Sequence, residues 1–109
     1  MKTISSLLRH YRGDAFASLR KSLRTAAKSA DIPAALREAR QRHAKDLSPL
    51  GARHIDDVAE AIAEGRGTVG SLPAEAELGG KGRIVPDAVQ AMADYRGESW
   101  SYLEDVGVL

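Results

Sequence analysis

A chain of 109 residues has room for one domain of ordinary size and no second. With 43% hydrophobic and 28% charged residues it has a globular make-up, which sets aside disordered and fibrous classes, and the lack of cysteine removes disulfides, thiolate metal sites, iron–sulfur clusters and cysteine nucleophiles together. The net charge of +1 conceals a division: residues 1–54 carry twelve Lys and Arg against four Asp and Glu, +8, and residues 55–109 carry four against eleven, −7.

In chain order, Ile4, Leu7, Leu8 and Tyr11 recur at helical spacing and predict a short first helix, ended by Gly13. Asp14 stands where it would N-cap a second helix, along which Phe16, Leu19, Leu23, Ala26 and Ala30 form one apolar face. Arg20, Arg24 and Lys28, at i, i+4 and i+8, form a separate basic stripe on that helix, with Lys21 beside it. Asp31 and Pro33 predict a third helix reaching Leu47, since proline suits a first turn whose amide needs no partner. Leu36, Ala39, His43 and Leu47 are its apolar stripe, and Arg37, Arg40, Arg42 and Lys45 its cations. Ser48 and Pro49 repeat the cap-plus-proline signal before a fourth helix, with Ile55, Val58, Ala59 and Ile62 inward and Gly65 as its stop.

Residues 65–83 hold six of the ten glycines together with Pro73, and predict a long loop broken by at most one helical turn within 71–78. Ile84 and Val85 fit a short strand or an extended lead into a further helix opened by Pro86 and Asp87. The C-terminal segment is ambiguous. Trp100 and Tyr102 alternate as in a strand, whereas Ser101 and Glu104 have capping-box spacing. The expected fold class is mainly α: a compact bundle of about four or five short helices, with a glycine-rich loop at 65–83. Residues 1–109 form a single helical domain, basic over 1–54 and acidic over 55–109. No apolar run is long enough to cross a membrane, and residues 1–9 lack the apolar stretch of a signal peptide. The expected location is the cytoplasm, with no membrane partner.

Catalytic signals are weak. Gly79-Gly80-Lys81-Gly82-Arg83 resembles a phosphate-cradling turn, but Gly82 stands where a P-loop needs a hydroxyl and Glu75 where it needs its first glycine. His43 with Asp46, and His54 with Asp56 and Asp57, are the pairs from which a metal site or general base would come, yet they lack the i, i+4 His–His spacing of a helical zinc site. His43 lies on an apolar stripe and reads as a hydrogen-bonded core histidine. No serine sits in a Gly-x-Ser-x-Gly elbow. A helix-turn-helix beginning at residues 55–63 would carry Gly67, Gly70 and Pro73 in its second element, with Arg66 as its one cation. No catalytic residue, metal or cofactor is expected.

The charge division frames the functional readings. The first is a non-catalytic binding module, an accessory or inhibitor protein of the kind found in phages and mobile elements. It would occlude a larger partner, and an acidic protein surface is favoured. Arg20, Lys21, Arg24, Lys28, Arg37, Arg40, Arg42 and Lys45 would form its basic face, and Trp100 and Tyr102 would add contact area. The second is a DNA- or RNA-binding protein using residues 9–45 through the phosphate backbone. The third is an enzyme with a His/Asp metal site. Against the first two stands the possibility that the halves pack together and neutralise each other.

Overall fold

The computed structural model describes residues 2–78. β1 (Lys2–Thr3) runs directly into α1 (Ile4–His10), where the Thr3 hydroxyl accepts the Ser6 amide at 3.1 Å. The chain leaves α1 through Gly13 at φ +92°, makes a 3-10 turn at Asp14–Phe16, and enters α2 (Ala17–Ala27). α3 (Ile32–Arg42) begins with Asp31 accepting the Ala34 amide at 3.2 Å and Pro33 in the first turn. A second 3-10 turn, Ala44–Asp46, leads to α4 (Pro49–Ala63), where Ser48 Oγ accepts the Gly51 amide at 2.9 Å. Gly65, at φ +76°, gives α4 the left-handed exit that its position predicts. β2 (Gly67–Thr68) and a single turn, α5 (Glu75–Leu78), complete the described region. α5 falls within 71–78, where the one helical turn was expected.

The described residues are therefore mainly helical, as expected, and the differences lie at helix ends. Asp14 does not cap α2; it opens the 3-10 turn that precedes it. α2 stops at Ala27, not Ala30, and α3 at Arg42, not Leu47. In both places the chain must turn before the next helix, and the connection ends on that helix's cap, Asp31 for α3 and Ser48 for α4. Residues 67–74 hold no helix, so among the described residues α4 is not followed by the second helix of a helix-turn-helix at the expected place. Instead β2 pairs in parallel with β1, Lys2 opposite Gly67 and Thr3 opposite Thr68, and the Ser5 amide donates to the Val69 carbonyl at 3.0 Å. Gly67 is demanded by this approach: a Cβ there would stand 2.6 Å from the Lys2 carbonyl oxygen.

Packing follows the apolar spacing. Leu7 and Leu8 of α1, Leu19 and Leu23 of α2, Leu36 of α3 and Ile55 of α4 are fully buried in one core, each contributing about 2 kcal/mol by removal from water. Among the described residues, Tyr11 lies against Phe16 in the core with ring centroids 5.2 Å apart and planes tilted by 59°. α3 is the central helix, packed on α4 on one side and α2 on the other. No helix of the described residues is long and apolar enough to cross a membrane. Residues 79–83 of the glycine-rich loop, the elements expected at 84–97 and the C-terminal segment with Trp100 and Tyr102 lie outside the described residues.

Candidate functional site

The eight cations expected on one basic face divide into distinct groups. Arg20 is not on a face at all; only 1% of it is exposed. Its Nη1 donates to the carbonyls of Tyr11 (2.8 Å) and Gly13 (2.6 Å), and its Nε and Nη2 donate to Glu75 Oε1. The physical reason is visible on α2. Arg20 lies four residues after Phe16 and three before Leu23, so it belongs to the border of the apolar face as much as to the basic stripe. Arg24, one turn further, has 24% of its side chain exposed, pairs with Glu75 Oε2 at 3.3 Å and donates to the Pro73 carbonyl. Arg40 ties α3 to α4 through Asp56 at 3.1 Å. Arg42 pairs with Glu38 of its own helix at 2.8 Å and stays largely in solvent.

Lys21, Lys28, Arg37 and Lys45 are exposed. Among the described residues, no carboxylate forms an ion pair with Lys21, Lys28 or Arg37. Lys21, Arg24 and Lys28 line one open cleft of about 420 Å³ on α2. On the other side of Lys21, between α2 and α3, runs a groove of about 380 Å³ that Arg42 also borders. Internal neutralisation is thus partial: Arg20, Arg24 and Arg40 meet carboxylates of the acidic half, while Lys21 and Lys28 keep their charge at the surface.

Glu75 is the residue that sequence reasoning missed. In the sequence it is an acid in a glycine-rich loop, with no local sign of its partners. In the fold, the Arg20 hydrogen bond, then the charges of Arg20 and Arg24, hold its carboxyl below the usual carboxylate range against an opposing desolvation.

The histidines also find their places. His43, 7% exposed, hydrogen-bonds through Nε2 to Ser22 Oγ at 2.8 Å, the satisfied core histidine its stripe predicts. His10 and His54 face each other across α1 and α4 with ring centroids 5.8 Å apart. Asp56 beside His54 is engaged by Arg40, and among the described residues no group of three or more His, Asp or Glu is placed to hold a metal ion.

No protein-family model, no curated protein and no solved structure matches this chain.

Proposed function

We propose that this protein is a non-catalytic binding module that docks an acidic protein surface on the basic side of α2 and the adjoining end of α3, and acts by occluding that partner. The supporting observation is the cleft on α2, where Lys21 and Lys28 flank Arg24 without a carboxylate of their own among the described residues. The fold uses its buried and half-buried arginines for internal pairs and keeps lysines outermost. A lysine is a compact, well-hydrated charge suited to steering and rim contact, whereas arginine suits fixed bidentate pairing. Arg42, which borders the groove beside Lys21, extends the cationic surface to the end of α3, and the exposed Arg37 and Lys45 would add to the positive charge around it. Trp100 and Tyr102 would supply apolar contact area, an accessory role of phage or mobile-element type would suit occlusion, and the encounter would take place in the cytoplasm.

The test is fluorescence anisotropy with a labelled oligo-glutamate peptide and, separately, a DNA duplex of arbitrary sequence. The peptide should bind, with affinity falling about tenfold from low to physiological salt. The double variant Lys21→Glu, Lys28→Glu should abolish the signal. Binding of the duplex alone would replace this reading with phosphate-backbone recognition by residues 9–45, and peptide binding indifferent to salt would overturn the electrostatic account.

A further inference from the structure

The groove between α2 and α3 combines features that the docking surface does not need. Its floor is apolar and shallow, because Ala26 of α2 faces Ala35 and Ala39 of α3 and no longer side chain fills the space. At about 380 Å³ it is within the size range of small-ligand sites, roughly 300–1,000 Å³. Its wall is polar and partly fixed. Ser22 is held at 2.8 Å by the buried His43 ring, so the hydroxyl is oriented before any ligand arrives. When the ring nitrogen donates to Ser22 Oγ, the serine's own hydrogen is directed elsewhere and can serve a ligand. Lys21 and Arg42 border the same groove against the single carboxylate of Glu38, so one positive charge is in excess. The Arg42–Glu38 hydrogen bond occupies one of five guanidinium N–H groups and leaves the others to donate.

We propose that this groove binds a small organic oxyanion, a phosphate monoester or a carboxylate carried on a compact apolar body. The anion takes hydrogen bonds from Ser22, Lys21 and Arg42, and the apolar body lies on the alanine floor. Charge-assisted bonds from three donors on two helices give the anion a defined position, which a single surface lysine does not. The groove shares Lys21 and Arg42 with the proposed docking surface, so a small anion and an acidic partner would compete for those two cations.

The experiment is a nitrogen–proton NMR titration of the full chain with phenyl phosphate, benzoate and neutral benzyl alcohol. The expected result is saturable shifts at Ser22, Ala26, Ala39 and His43 with one or both anions and none with the alcohol. The stronger of the two anions identifies the headgroup. Ser22→Ala and the surface variant Arg42→Gln should each weaken binding about tenfold, and Arg53→Gln, at an exposed position of α4, should leave it unchanged. Arg42→Gln keeps the test decisive if Ser22→Ala disturbs packing with His43. Equal shifts with benzyl alcohol, shifts confined to Arg24 and Lys28, or no saturable shift would overturn the proposal. None of these results bears on oligo-glutamate binding, so the two readings fail separately.

Discussion

Arg20 on α2 and Glu75 on α5 meet across 55 residues of chain, with Nε and Nη2 of the guanidinium converging on one carboxylate oxygen at 2.9 and 2.5 Å. The pair is lopsided: the arginine side chain is 1% exposed and the glutamate 53%. The same guanidinium satisfies two carbonyls at the exit of α1. Around it, Arg24 donates to the Pro73 carbonyl, Arg12 to that of Glu77 at 2.9 Å, and the Gly13 amide to that of Leu78, also at 2.9 Å. Residues 73–78 are thereby fastened to α1 and α2 by donors of the basic half.

Arg20→Lys should destabilise the fold by about 3 kcal/mol, because an ammonium cannot make the fork's divergent bonds and leaves buried carbonyls unmet. Urea unfolding followed by circular dichroism measures this. A loss below about 1 kcal/mol would show that water replaces the guanidinium at no great cost.

Glu75→Gln should cost less, about 1 kcal/mol, since the carboxylate is more than half exposed and water screens its pairing. Its pH dependence has a definite sign. The folded-state pKa of Glu75 lies below its unfolded value, so its contribution is fully present above the ordinary carboxylate range and is lost as pH falls through the lowered value. Wild type and Glu75→Gln should therefore differ at neutral pH and converge in acid. A gap that stays constant down to strongly acidic pH would assign the effect to something other than this charge.

Gly67→Ala should destabilise by about 1–3 kcal/mol, because its methyl would press on the Lys2 carbonyl oxygen and part β1 from β2. Hydrogen exchange locates the effect: the Ser5 amide, which donates to Val69, should lose protection, while Leu23 and Val58 in the helical core keep most of theirs.

Ser48→Ala should cost about 1 kcal/mol or more, since it removes the cap of α4 at a fully buried position. Asp31→Ala removes an exposed cap of α3 and should cost less, because water can reach the freed Ala34 amide. Thermal unfolding of the two variants side by side checks the order.

Within the described residues, the sequence by itself determined which segments form α1 to α4, though not where α2 and α3 stop. Apolar spacing of three and four, Asp31 with Pro33, Ser48 with Pro49 and the stop at Gly65 are local signals, and the backbone obeys them because a helix satisfies its own hydrogen bonds within a few residues. It also determined that cations concentrate before residue 55 and acids after it. Periodicity assigns a residue to a face and is silent on what packs against that face. Arg20 and Arg24 are one turn apart in the same stripe, yet one is interior and the other at the rim, because the exit of α1 and α5 come to rest beside Arg20. The Ser22–His43 bond spans 21 residues, and the β1–β2 pairing joins the beginning of the chain to the loop after α4. Such contacts depend on how whole helices pack, so only the tertiary structure decided which charges the fold consumes and which it leaves to solvent.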